Sequence, residues 1–209
     1  MANYAETESR LKIVQATATP AAVAAEPTAA RALGRLRTFL VRRRTFLAIV
    51  IAGGLVVAAE PRPALLCMGL ALLAGAHVLR VLCAGYLDKD NTLATNGPFA
   101  WCRNPLYIAN MLVVVAFGLM SGRLEVLPVL LLLWYATHVP TVAREEQFLR
   151  GKFGAEFDRY CERVPRWWPR RPGCAQGGFS WARVIANDEH LNIISAWVLA
   201  AMFLIEMVR

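Results

Sequence analysis

Two polar stretches carry the residue types able to do chemistry. The first, at positions 91–110, reads NTLATNGPFAWCRNPLYIAN and holds Thr95, a Gly97-Pro98 turn, the step Arg103-Asn104-Pro105, and Tyr107. The second, at 143–169, reads AREEQFLRGKFGAEFDRYCERVPRWWP and opens on Arg144, Glu145 and Glu146. A guanidinium, an amide and two carboxylates can hold a polar ligand or move a proton. They do not make a nucleophilic triad, and no Gly-rich loop follows a strand pattern. Five cysteines are scattered without a CxxC or His-Cys cluster, so no metal centre is indicated and unpaired thiols are expected. Neighbouring glutamates on a helix point about 100° apart, so one can face a cavity while the other faces solvent. Acids at a helix C-terminus oppose the macrodipole. Either the helix continues past Glu145 and Glu146 or they have a task there; a solvated face is the plain alternative. His138 lies about two turns before Glu145, as a cavity wall or a buried structural histidine. His77 and Arg80, three apart, share one helix face, with Asp88 or Glu145 as partners for the arginine.

The elements that must position these residues are apolar helices. The 209 residues are 57% hydrophobic, enough for several membrane spans. Apolar segments occupy 45–59, 64–87, 106–120, 124–143 and 191–208. An all-α polytopic membrane protein with about five transmembrane helices is expected. The break Glu60-Pro61-Arg62-Pro63 folds the first two into a hairpin. Pro105 suits the first turn of the third, where its missing N–H costs nothing. Beyond the fourth, Phe148 to Tyr160 continue at helical spacing around Gly151 and Gly154, so a span that bends into an interfacial helix is expected. Trp167 and Trp168 read as an interfacial belt.

The net charge of +8 is placed beside these segments, which favours a membrane surface over nucleic acid; no recognition motif accompanies it. Assigning loops alternately, only Arg62, Arg123 and Arg209 fall on one side, with Arg80 inside a span. The N-terminus, the 91–110 motif and the 143–190 region therefore share the cytoplasmic face. Residues 1–30 read as a disordered tail without a signal-peptide pattern, and 31–44, with six arginines, as a basic interfacial segment. A core at 45–169 follows, then a linker at 170–190 and a C-terminal transmembrane helix at 191–209. Ala196, Ala200 and Ala201 give that helix a small-residue face, for bundle packing or a homodimer.

The order Leu93-x-Thr95-x-Gly97-Pro98-Phe99, Arg103-Asn104-Pro105-x-Tyr107, a helical hairpin, Glu145-Glu146, Phe153-Gly154, Tyr160 and Val164-Pro165-Arg166 resembles the integral-membrane methyltransferases of the isoprenylcysteine carboxyl methyltransferase and phospholipid methyltransferase group. The resemblance covers roughly 91–169. It implies S-adenosylmethionine as methyl donor, in a pocket at the cytoplasmic membrane face. Thr95, Gly97, Pro98, Arg103, Pro105, Tyr107, Glu145 and Glu146 are then cofactor-binding. Arg103 would clamp the cofactor carboxylate and Tyr107 would stack on adenine or lie against the sulfonium. Arg103, Asn104 and Arg144 are the catalytic candidates, and His138 and Arg144 would meet the substrate. That substrate is lipophilic: a prenylcysteine-like carboxylate, a phospholipid amine or another isoprenoid lipid. The prenylcysteine enzymes usually carry Arg-His-Pro where this chain has Arg-Asn-Pro, a departure that bears on the acceptor more than on the cofactor. A bacterial inner membrane is the expected location. Membrane sterol reductases, which bind NADPH in a similar C-terminal half, are the alternative enzyme class, and a non-catalytic scaffold is the third reading.

Overall fold

The computed structural model describes residues 44–88, 92–168 and 178–209, with backbone alone at 44–49. The expected tail at 1–30, the basic segment up to Arg43 and part of the expected linker lie outside these residues. Every regular element described is helical: α1 Arg44–Val57, α2 Pro63–Tyr86, α3 Pro105–Met120, α4 Leu127–Phe153, α5 Ala155–Arg163, α6 Trp181–Ala186 and α7 Glu189–Val208. Each of the five apolar segments has become a helix. Three of them are long and apolar enough to cross a membrane: α2, α7, and α4 together with the 3-10 turn before it. The remaining two, α1 with 14 residues and α3 with 16, are shorter.

The start and stop signals act as their chemistry predicts. Pro63 and Pro105 occupy first-turn positions of α2 and α3. After α3, Gly122 turns left-handed at φ 74°. A Cβ there would sit 1.9 Å from the Glu60 carbonyl oxygen, so only glycine lets the two loops meet. Glu60 N–H donates to Ser121 O at 2.8 Å, and Arg123 bonds both Ala58 O and the Glu60 carboxylate. This clasp closes one end of the bundle. Nearby, Leu55, Leu66, Leu73, Ala116, Met120 and Phe203 form the buried core of α1, α2, α3 and α7. α2 and α3 approach closely because Gly69 lies against Ala116 O and Met120. Ala200 is buried in this core and Ala196 packs against it, whereas Ala201 is exposed. Two-thirds of the expected small-residue face is thus used inside the bundle.

α4 departs from the expected outline. It passes through Pro140 and Gly151 and ends only at Gly154, at φ 52°, where α5 begins. Proline at 140 removes one backbone donor. Within the same turns, Thr137 and Thr141 donate their hydroxyls to the carbonyls four residues before. The helix therefore continues past Glu145 and Glu146, and the conflict with its dipole does not arise. The bend into the interfacial helix falls at Gly154, two turns later than the acid pair.

Candidate active site

The C-terminal ends of α2 and α4 and the N-terminal ends of α3 and α7 gather at the bundle end opposite the clasp. One carboxylate organises this end. Glu146, on α4, has its Oε1 3.3 Å from Arg103 Nε and 3.2 Å from Asn104 Nδ2, while its Oε2 is 3.0 Å from Arg166 Nη2. Arg103 Nη1 also donates to the carbonyls of Cys161 and Val164, and Asn104 Nδ2 to that of Arg166. Arg103 N–H donates to Pro165 O at 2.8 Å. The loop before α3, the end of α4 and the exit from α5 are thereby tied at a single point. Tyr160, on α5, closes the same lattice by donating its hydroxyl to Phe99 O at 2.7 Å. Burial raises the phenol of Tyr160 above its ordinary pKa, as it raises the thiols of Cys102 and Cys161. Cys102 is accordingly a buried protonated thiol, poorly suited to nucleophilic work.

The second acid turns the other way. Glu145 is exposed and accepts a hydrogen bond from Tyr107 Oη at 2.9 Å. The Tyr107 ring meets His138 edge-on at 5.9 Å, and Trp134 stacks on His138 at 5.2 Å. His138 Nδ1 lies 3.0 Å from Trp134 O and 2.9 Å from Thr137 Oγ1. Trp167 packs edge-on to Trp134, and its neighbour Trp168 is exposed. Trp134 Nε1 and Arg166 Nε are buried donors without a protein partner among the described residues.

The sequence-predicted residues thus fall into three groups. Arg103, Asn104 and Glu146 converge, and Pro105 starts the helix beside them. Tyr107, Glu145 and His138 form an adjoining wall, while Arg144 is exposed on α4. Thr95 lies in the loop leading to the Gly97 turn, where Gly97 has φ 58° and meets the Tyr86 ring; Gly97 and Pro98 are buried. Trp134 and Arg166 were not singled out as site residues. Arg166 was already visible in the Val-Pro-Arg run, but Trp134 gave no signal apart from its one-turn spacing to His138. The expected partners of Arg80 require correction. Its guanidinium pairs with neither Asp88 nor Glu145 but with Glu189, by Nε–Oε1 2.5 Å and Nη2–Oε2 2.8 Å, and it also bonds Asn110. His77 and Glu189 are buried beside it.

A family model described as phospholipid methyltransferase matches residues 66–156, which contain most of this arrangement. The cobalt-zinc-cadmium resistance protein CzcN of Cupriavidus metallidurans is 33% identical over 146 residues, covering 69% of this chain and 67% of that one. The chain belongs to the phospholipid methyltransferase family. Its fold is that of an all-α integral-membrane protein of this group. The nickel-cobalt-cadmium resistance protein NccN of Alcaligenes xylosoxydans xylosoxydans is 38% identical over 109 residues, 51% of each chain. A weaker similarity, 30% over 74 residues, reaches the Delta(14)-sterol reductase LBR of Gallus gallus but covers only 12% of it. No solved structure matches the chain. Two buried donors without a partner among the described residues, an exposed acid and an aromatic wall are grouped at one bundle end. Among the described residues no group of three or more His, Cys, Asp or Glu is arranged to hold a metal ion.

Proposed function

We propose that this chain transfers a methyl group from S-adenosylmethionine to a lipophilic acceptor that enters from the bilayer. The observation that carries the reading is the convergence of Arg103, Asn104 and Arg166 on Glu146, which joins the two polar motifs into one site beside the membrane-spanning helices. S-adenosylmethionine supplies an electrophilic sulfonium methyl, so the protein needs no nucleophile of its own. Glu146 fixes the loop and the α5 exit. Glu145 accepts hydrogen bonds at the exposed wall, as a ribose or an amino group would offer. Tyr107, His138 and Trp134 present aromatic surface suited to a base or to a cation. An amine acceptor must lose a proton, and Glu145 or His138 would take it; a carboxylate acceptor requires no base. Alignment and exclusion of water remain the main contributions of the chain. By the distribution of basic residues the site faces the cytoplasm, in a bacterial inner membrane, and the acceptor is a phospholipid amine or a prenylcysteine-like carboxylate.

The test is calorimetric titration of the detergent-solubilised protein with S-adenosylhomocysteine and, separately, with NADPH. Glu145→Ala serves as the site variant because it leaves the Glu146 lattice whole. Binding of S-adenosylhomocysteine that weakens in the variant, with labelled methyl transfer into a lipid extract, is the expected result. NADPH binding in its place would move the assignment to the reductases, and binding of neither would favour a scaffold.

A further inference from the structure

A small polar cavity of about 130 Å3 lies beside the Gly97 turn, lined by Tyr86, Asp88, the 92–96 loop, Gly178 and Arg183. It has room for about four water molecules, the scale of an amino-acid end. Two of its walls come from Gly178 and Arg183, beyond the family match at 66–156.

One cation on this wall is held in place by the main chain. Arg183 Nη1 is anchored by the carbonyls of Gly85 at 3.4 Å and Gly178 at 3.1 Å. Among the described residues no carboxylate pairs with this guanidinium. The backbone N–H groups of Leu93 through Gly97 likewise donate to no acceptor among the described residues. A held guanidinium without a carboxylate partner, beside loop amides with no protein acceptor among the described residues, suits a ligand oxygen that only accepts, and an oxyanion is the strongest such partner. Asp88 on the same wall disfavours an isolated phosphate and complements an ammonium. Both signs of charge in so small a volume match an α-amino carboxylate. Arg103 is less available for that task, because its Nε and Nη1 are already committed to Glu146, Cys161 O and Val164 O.

We propose that this cavity receives the amino-acid end of the methyl donor, with Arg183 and the 93–97 amides binding its carboxylate. The inference rests on the proposed methyl-donor reading and adds to it a binding residue from outside the matched region. The experiment compares S-adenosylhomocysteine with 5′-methylthioadenosine, which keeps the nucleoside thioether and lacks the amino-acid end. Each is titrated calorimetrically into the full-length wild type and Arg183→Gln. The expected result is a loss of about 10- to 100-fold for S-adenosylhomocysteine, the scale of a charged hydrogen-bond pair, with 5′-methylthioadenosine unchanged within about twofold. Equal losses for both ligands would mean that Arg183 only supports the fold and would overturn the proposal. So would no change in either, or a wild type that does not discriminate between them. A wild type that binds neither nucleoside fails at the methyl-donor reading itself, which is a separate outcome. If Arg183→Gln does not fold, Arg183→Lys retains the cation without the fork, and the same ligand difference is read as a smaller, selective loss.

Discussion

Asn104 shows how much one side chain decides at this site. Its amide is 3.2 Å from a Glu146 oxygen and 3.1 Å from Arg166 O, so it must donate twice. Asn104→Ala removes both bonds and is expected to cost about 1–3 kcal/mol, read as a lower melting temperature in detergent. Asn104→Asp should be worse still, because it sets a second carboxylate against Glu146; the comparison of the two melts checks it. Burial holds the Cys102 thiol and the Tyr160 phenol above their ordinary pKa values, so both are neutral in the folded protein. The sign follows directly. The unfolded chain ionises first, so this contribution is complete below about pH 8.5 and declines as the pH rises above it. Melts at pH 7.5 and pH 10 should separate, and Tyr160→Phe together with Cys102→Ala should narrow the gap. At this scale the sequence was informative about the polar residues of the two motifs and poor about their partners. Motif order assigned Arg103, Asn104 and Glu146 to one expected pocket but did not pair them with one another. Nothing in it placed the carbonyls of Cys161, Val164 and Arg166, because main-chain acceptors carry no residue type.

Helix starts and stops were the most legible elements. Pro63, Pro105 and Gly154 mark boundaries for reasons of covalent geometry that need no tertiary context. Pro140 and Gly151 both lie inside α4 despite their low helix propensity, and threonine hydroxyls bond main-chain carbonyls in the turns around the proline. The clasp between α1–α2 and α3–α4 makes its own prediction. Gly122→Ala must adopt a left-handed φ and meets the Glu60 carbonyl. The strain alone costs about 1–2 kcal/mol, and the clash adds to it. A lower melting temperature with ligand affinity little changed is the expected pairing, since the clasp lies at the far end of the bundle from the site.

For the whole molecule, the least legible feature was the role of the last helix. Arg80 and Glu189 are 109 residues apart in sequence, so no local period could pair them. Their ion pair is largely buried, with side chains 12% and 4% exposed, and it joins α2 to the start of α7. Breaking one partner strands the other, so Glu189→Gln is expected to destabilise by about 3–5 kcal/mol. The double replacement Arg80→Met with Glu189→Leu should recover much of that loss in a double-mutant cycle of melting temperatures. Asn187 adds a second tie, donating to the carbonyls of Ala84 and Leu87 at the end of α2. The final stretch is thus part of the same packed body as the matched region, although the family model ends before it.

The Arg80–Glu189 pair also sets an order of events during biogenesis. Arg80 enters the bilayer with α2, long before position 189 has left the ribosome. Until then Asn110 is its partner among the described residues, and a cation inside a span is costly. Synthesis of α7 supplies Glu189 and neutralises that charge, so a chain that lacks α7 keeps an uncompensated cation inside a span. In pulse-chase labelling, Glu189→Gln should be degraded like a prematurely terminated chain, while the Arg80→Met and Glu189→Leu pair, having no charge left to neutralise, should escape.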